Sequence, residues 1–274
     1  LVLLSLSMWQ HTRKQHFTYD DVAEPLKRIL REFLPASVKQ PSPAMPFFHL
    51  KNDAVWQIVA PQAPDVLANL SEPSVGVFRQ YQVFGTFPDD IWSYLEQTQD
   101  FLWQIVGVLL VNHFEPTLYK DVLEAVGLEV VELGAGLAPT VWETYYRRRR
   151  DPTFKLRVLD SYSWRCAVCG FQASLHDRHV GVEAAHVQWH SHDGPDIVPN
   201  GVALCALHHH LFDRGVFTIN QQRKVEVSPS VTGSQQFIRS VEDFHGREML
   251  QPSLVAEYID DEYISWHVSE VFHD

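Results

Sequence analysis

The sequence has no apolar run that approaches the roughly 18 to 20 residues a membrane-spanning helix needs. It contains only 3 cysteines in 274 residues, too few for the disulfide framework that holds small secreted domains together. These two scarcities exclude a helical membrane protein and a disulfide scaffold, and they predict a cytoplasmic chain large enough for two cored domains. The apolar opening, residues 1–6, is short, so we expect it to belong to a helix that begins before the first residue and not to a signal peptide.

Positive charge is also scarce, since 22 Lys and Arg face 34 Asp and Glu, a formal net charge of −12. Nucleic-acid-binding proteins contact phosphates with Lys and Arg, so this total argues against DNA as a partner. The distribution reverses that conclusion: residues 1–60 carry 7 basic and 5 acidic side chains, and residues 141–240 carry 12 and 9. Because binding depends on the local field, these two net-positive segments are able to face DNA.

Apolar residues recur at helical spacing in long stretches and alternate at strand spacing in shorter ones. The pattern predicts helices over residues 20–34, 89–94, 100–112 and 116–126, and strands over residues 47–50 and 55–59. Further along it predicts helices over residues 152–162 and 202–212, and strands over residues 180–185, 217–219 and 225–227. We therefore predict an α+β protein with a mixed N-terminal domain at residues 1–133, a helical linker at 134–150 and a second domain at 151–274.

All three cysteines lie in one 40-residue window, and a nearby histidine completes a set of four metal-binding side chains. Two residues separate Cys166 from Cys169, and two separate Cys205 from His208, which is the paired spacing of tetrahedral zinc sites. The alternative is that the cysteines are small buried hydrophobes. Since one such site would use every cysteine in the chain, we favour a structural zinc ion bound by these four residues.

Eight of the fifteen histidines fall between His176 and His210, which is too dense for ordinary core placement. Within this segment we single out His186 at the end of a predicted strand, Asn200 in a polar loop and His209 in a predicted helix. Hydrolysis of a phosphodiester needs a base that deprotonates water and a divalent cation that neutralises charge on the phosphate. Histidines suit both tasks, and an asparagine holds a loop through hydrogen bonds to its backbone.

The motifs CAVCG, VEAAHVQWH and PNGVALCALHHHLFDRG together resemble the HNH, or ββα-metal, nuclease family, in particular the McrA-like restriction endonucleases. The resemblance implies a C-terminal HNH domain in which His186 is the general base, Asn200 organises the loop and His209 binds a catalytic Mg²⁺ or Mn²⁺. It also implies structural zinc at the four residues described above. The chain is thus expected to be an endodeoxyribonuclease that hydrolyses double-stranded DNA.

One position departs from this family's pattern. Many HNH enzymes carry an aspartate immediately before the first histidine as a second metal ligand, whereas this chain has Ala185. We expect His190, four residues after His186, to replace that ligand, with Glu183 and His210 as weaker candidates. The departure keeps open an alternative function, a zinc-stabilised module that binds modified DNA without cutting it.

The segments FTYDDVAEPLKRILREFLP and MPFFHLKNDAVWQI resemble the DNA sulfur-binding domain of phosphorothioate-dependent McrA-like restriction endonucleases. The segments FGTFPDDIW, NHFEPTLYKDVLEAVGL and EYISWHVSEVF resemble further parts of the same proteins, so the resemblance covers nearly the whole chain. It implies that Met45, Pro46 and Phe47 form part of a pocket for the sulfur, with Met45 in place of the more usual tyrosine. A modified base and unmodified DNA are the alternative targets.

Four consecutive arginines, Arg147, Arg148, Arg149 and Arg150, end the helical pattern TVWETYYRRRR. They either contact DNA phosphates or form a solvated face at a helix end, where cations interact favourably with the dipole.

The stretch VVELGAG resembles a cofactor-binding glycine turn, but no series of strands and helices follows it, so we discount that interpretation. One HNH site cuts one strand, so a homodimer would supply one site for each strand in a double-strand break.

Overall fold

The computed structural model describes residues 1–34, 38, 40–129 and 153–273. These residues form two compact units, one of residues 1–34, 40–108 and 120–129, and the other mainly of residues 109–119 and 153–273. The sequence analysis placed residues 109–119 in the first domain, whereas the structure groups them with the second unit. The predicted linker at residues 134–150 lies outside the described part of the chain. Among the described helices, none is long and apolar enough to cross a membrane.

The N-terminal half combines a small antiparallel sheet with several helices. The strands are β1 (Phe17–Thr18), β2 (Gln57–Val59) and β3 (Phe84–Thr86), in the order β1-β3-β2. The helices up to residue 126 are α1 (Val2–Thr12), α2 (Tyr19–Phe33), α3 (Ala44–His49), α4 (Pro64–Ala68), α5 (Val75–Gln80), α6 (Asp89–Gln97), α7 (Gln99–His113) and α8 (Tyr119–Val126). Short 3-10 turns span Leu50–Asp53 and Pro116–Leu118. The predicted helices of this half are confirmed.

Helix α2 begins close to the predicted position because its first turn is capped from both directions. The hydroxyl of Thr18 accepts a hydrogen bond from the Asp21 amide at 3.3 Å, and the Asp21 carboxylate accepts one from the Thr18 amide at 2.7 Å. This reciprocal capping box satisfies two amides that the helix itself leaves without partners. The apolar face of the helix then buries Val22 and Leu26 completely or nearly so.

Residues 47–50, predicted as a strand, instead end helix α3 and begin a 3-10 turn. Phe47 and Phe48 are both buried, with exposures of 0% and 1%. Neighbouring residues of a strand point to opposite faces, so a strand with one buried face covers only one of the two rings, whereas a helix directed into the core covers both. Trp56 stabilises the arrangement by donating a hydrogen bond from its indole nitrogen to the Phe47 carbonyl at 3.1 Å.

The second unit contains an antiparallel hairpin of β6 (Val182–His186) and β7 (Gly201–Cys205), in which His186 pairs with Gly201. Helices α9 (Phe154–Ser161) and α10 (Ala206–Asp213) pack against this hairpin. Two further hairpins belong to this unit, β4–β5 (Ala173–Leu175, Arg178–Val180) and β8–β9 (Phe217–Ile219, Val225–Val227). Its other helices are α11 (Gln235–Ser240) and α12 (Asp261–Glu270). Short 3-10 turns span His190–His192, Val198–Asn200, Glu242–Phe244 and Val255–Glu257. The predicted mixture of helices and small sheets is confirmed.

Residues 202–212, predicted as one helix, divide into strand β7 and helix α10. Val202, Ala203 and Leu204 are all fully buried. A strand that is covered on both faces has a continuous apolar run, which is difficult to distinguish from a buried helix by its pattern alone. The chain changes direction at Cys205, whose extended backbone precedes the first turn of α10. This change places His209 in a helix directly beside the hairpin.

Candidate functional site

The predicted zinc ligands come together beside strand β7. Cys166 and Cys169 lie in a turn after α9, whereas Cys205 ends β7 and His208 lies in α10. The four ligand atoms all lie within 4.8 Å of one another. Nδ1 of His208 lies 3.1 Å from the Cys205 sulfur and 3.6 Å from the Cys166 sulfur, and the sulfurs of Cys169 and Cys205 are 4.0 Å apart. Such spacings suit a tetrahedral ion with metal–sulfur bonds of about 2.3 Å.

The hydrogen bond of Nε2 indicates which nitrogen of the His208 ring is able to bind a metal ion. Nε2 donates a hydrogen bond to the carbonyl oxygen of Ser240 at 2.9 Å, so the lone pair of the neutral ring is on Nδ1, which faces the sulfurs. The side chains of Cys166, Cys205 and His208 are buried. Three thiolates and one imidazole are a donor set that zinc prefers in closed structural sites, so the residues present fit this ion.

His186, the last residue of β6, is held from two directions. Its side chain is only 1% exposed, and its Nε2 lies 2.8 Å from Oδ1 of Asp196. Its ring stacks on Phe154 of α9, with ring centroids 4.1 Å apart and an interplanar angle of 14°. The stacking sets the plane of the ring and the hydrogen bond sets its rotation within that plane. His186 therefore has a defined orientation.

Asn200 joins the two ends of the loop between β6 and β7. Its side-chain amide donates to the carbonyl oxygens of Gln188 at 3.0 Å and Pro195 at 3.1 Å, and its Oδ1 accepts from the Gln188 amide at 2.8 Å. Its own carbonyl accepts a further bond from the Val187 amide at 3.0 Å. Since Asn200 is fully buried, these bonds satisfy polar atoms that water does not reach. They hold the loop next to His186.

His209 lies between two carboxylates. Its Nδ1 is 2.7 Å from Oε2 of Glu183 on β6, and its Nε2 is 3.3 Å from Oδ2 of Asp213, one turn later in α10. Burial lowers the pKa of His209, but the two carboxylates outweigh this effect and raise it to about 10. The hydrogen bond with His209 in turn lowers the pKa of Glu183. The surroundings of His209 thus favour a positive charge, whether a proton or a metal ion carries it.

His190, expected from the sequence to be the second ligand of the catalytic metal, has other contacts. Its ring centroid is 5.8 Å from that of His186, and its backbone amide donates to Oε1 of Glu115 at 3.1 Å. Glu183, one of the two weaker candidates, contacts His209, as does Asp213. Among the described residues, the zinc ligands are the one group of three or more His, Cys, Asp or Glu side chains placed closely enough to hold a metal ion.

The sequence analysis did not single out four residues that lie among the candidate catalytic residues: Asp196, Asp213, Glu115 and Thr117. Asp213 had a recognisable signal, because it follows His209 by four residues and so lies on the same face of a helix. Thr117 donates a short hydrogen bond to Asp213. Glu115 and Thr117 precede the hairpin by more than sixty residues, so no local pattern connects them with it.

In the N-terminal unit, two of the three residues predicted for the sulfur pocket offer surface to a ligand. Met45 is 46% exposed and Pro46 is partly exposed. Phe47, the third, is fully buried, with its ring 5.3 Å from that of Phe78, so its contact with the ligand stays a prediction. It supports the segment from beneath. The predicted phosphate contacts Arg147, Arg148, Arg149 and Arg150 lie outside the described residues.

Comparisons with known proteins find similarity in both halves of the chain. Residues 1–131 match the family model described as the ScoMcrA-like DNA sulfur-binding domain, and residues 166–220 match the HNH endonuclease model. A solved structure described as a modification-dependent TagI restriction endonuclease is similar at a TM-score of 0.32 and 24% identity, over 43% of this chain. The aligned part spans only 37% of that protein. No curated protein sequence matches the chain.

Proposed function

Because the chain carries a ScoMcrA-like DNA sulfur-binding domain within residues 1–131 and an HNH endonuclease domain within residues 166–220, we propose that it binds and cuts phosphorothioate-modified double-stranded DNA. Endonuclease activity and a DNA partner follow from the domains themselves. Dependence on the phosphorothioate is the proposed part. The observation that supports this dependence is the presence of both domains in one chain. A nuclease domain needs a separate DNA-reading domain only when cutting is restricted to certain DNA.

In the proposed reaction His186 is the general base. It takes a proton from a water molecule, whose oxygen then attacks the phosphorus while the bond to one sugar oxygen breaks. A general base must be held in a fixed geometry to be effective, and stacking on Phe154 together with the bond to Asp196 supplies this. Asn200 contributes by holding the loop that follows the base.

We assign the catalytic divalent cation to His209, with Glu183 as its carboxylate partner. Glu183 is 46% exposed at its side chain and Asp213 only 1%, so Glu183 lies nearer to the solvent from which DNA approaches. Mg²⁺ commonly binds through one or two carboxylates together with waters and substrate phosphate, so few protein ligands are needed. When bound, the cation would neutralise the charge that develops on the phosphate. The contacts of His190 give less support to its assignment as a ligand.

Recognition of the sulfur is assigned to the exposed surface of helix α3. Replacing a phosphate oxygen by sulfur makes one side of the linkage larger and less strongly hydrated, so an apolar surface favours it. Met45 and Pro46 supply such a surface, supported from below by Phe47. Lys51, just after the helix, lies 3.6 Å above the Phe48 ring and provides a cation in the same segment for the remaining phosphate charge.

We predict that the chain binds a duplex with one phosphorothioate linkage about tenfold or more tightly than the same duplex without sulfur, a difference of about 1.4 kcal/mol. Binding is measured without Mg²⁺ or Mn²⁺, so that cleavage does not interfere. Met45→Ala should reduce the preference, because it removes most of the apolar side chain. Val55→Ala is the matched control, since Val55 is a similarly exposed apolar residue of the same unit, at 40% against 46%.

Equal affinity for the two duplexes would contradict the proposed sulfur recognition and leave a modified base or unmodified DNA as the target. Tight binding without nicking in Mn²⁺ would favour a module that reads modified DNA without cutting it. Unchanged preference in Met45→Ala, or an equal loss in Met45→Ala and Val55→Ala, would contradict the assignment of the pocket to Met45.

The chain is also proposed to act in the reducing cytoplasm, where thiolates remain available to zinc. All three described cysteines lack disulfide bonds. Because one HNH site cuts one strand at a time, a homodimer would provide a site for each strand of the duplex.

A further inference from the structure

A carboxylate lies against the proposed general base. Oδ1 of Asp196 is 2.8 Å from Nε2 of His186, and Asp196 is 14% exposed at its side chain. Asp196 is ten residues further along the chain, in the loop between β6 and β7. Because a carboxylate accepts hydrogen bonds, Nε2 of a neutral His186 carries the hydrogen in this contact. The lone pair that accepts a proton is then on Nδ1.

The position of Asp196 is itself fixed on both sides. The Asn200 amide donates to the carbonyl of Pro195, directly before Asp196, at 3.1 Å. Arg157 of α9 donates from Nη2 to the Asp196 carbonyl oxygen at 2.8 Å. Helix α9 also supplies Phe154, on which His186 stacks. Helix α9 and Asn200 therefore hold His186 and Asp196 in a fixed position relative to each other.

We infer that Asp196 is a positioning residue of the nuclease: it selects the tautomer of His186 that has its hydrogen on Nε2, which leaves Nδ1 as the nitrogen that takes the proton from water. Asp196 also stabilises the imidazolium that forms when Nδ1 takes the proton from water. Asn200 then influences His186 in two ways. It holds the backbone of the loop that follows His186, and it fixes the position of Asp196. The inference rests on the proposed role of His186.

Substitution of Asp196 by asparagine tests the inference, because it preserves size but removes the obligatory acceptor. We expect Asp196→Asn to lower kcat for cleavage roughly 100-fold, within the range that general-base catalysis contributes, with KM for DNA changed less than about twofold. Asp193→Asn is the matched control, since Asp193 is an exposed aspartate of the same loop whose left-handed backbone, with φ of 61°, asparagine tolerates well.

Nitrogen NMR of His186 in the full chain provides a second readout that does not depend on activity. We expect the hydrogen of neutral His186 on Nε2 in the wild-type protein and a mixture of tautomers in Asp196→Asn. A wild-type ring with its hydrogen on Nδ1 overturns the inference, even if the variant does not fold. So does an Asp196→Asn variant with wild-type kcat, provided that His186→Ala is inactive. If His186→Ala itself cuts normally, the proposed base is wrong, and that failure is distinct from failure of the Asp196 inference.

Discussion

His186→Ala should abolish cleavage of DNA in Mg²⁺ or Mn²⁺ while leaving DNA binding and zinc content unchanged. A general base contributes about 10²- to 10⁴-fold to such a rate, and His186 is the histidine held between a stacked ring and a carboxylate at the end of β6. The loss should appear in single-turnover nicking of a supercoiled or labelled duplex, where product release does not mask the chemical step.

Two controls separate loss of chemistry from loss of structure. His186 is buried, so its replacement by alanine leaves space beside Phe154, and the melting temperature and bound zinc of the variant must be measured alongside its activity. His176→Asn is the matched control for removing a histidine, because His176 is exposed in a turn with a φ of 47° that asparagine adopts readily. Cleavage by His186→Ala at the rate of the control would refute the assigned base.

Removal of zinc should unfold residues 151–240. A closed structural site contributes about 10 kcal/mol or more to folding in small zinc modules, comparable to the whole stability of an ordinary domain. Here the site connects the turn after α9 to the junction of β7 and α10, so its loss releases the end of β7 in the hairpin that carries His186. Chelator treatment followed by calorimetry and hydrogen exchange should show a lost transition and rapid exchange over this region.

His208→Asn and His210→Asn form the matched pair for this prediction, because both lie in α10 and only His208 contacts the sulfurs. The first variant should lose zinc and stability, whereas the second should retain one zinc ion per chain. Protein that loses its zinc and still melts at the original temperature would show that the four residues do not support the fold in this way.

The spacing of Cys166, Cys169, Cys205 and His208 in the sequence predicted that these side chains come together, and their ligand atoms lie within 4.8 Å of one another. The physical reason is that side chains separated by two residues are brought together by local turns, which depend little on the rest of the chain. The same reason explains why Asn200 could be assigned to the loop, because its partners Gln188 and Pro195 are close in sequence.

The arrangement around His209 was less accessible from the sequence. Glu183 reaches it only because β6 pairs with β7, whose buried apolar run had the pattern of a helix. Thr117 and Glu115 belong to a segment that groups with the second unit in space although it precedes residues of the first unit along the chain. Tertiary placement of this kind leaves no periodicity in the sequence to recognise.

The most direct test compares cleavage of two duplexes that are identical except for one phosphorothioate linkage, with Mn²⁺ supplied to the wild-type chain. The proposed function predicts that the sulfur-bearing duplex is cut and that the plain duplex is cut far more slowly or not at all. Equal cleavage of the two duplexes would contradict sulfur-dependent restriction, and absence of cleavage of both by zinc-loaded, folded protein would contradict the assignment of His186, Asn200 and His209 to a working nuclease site.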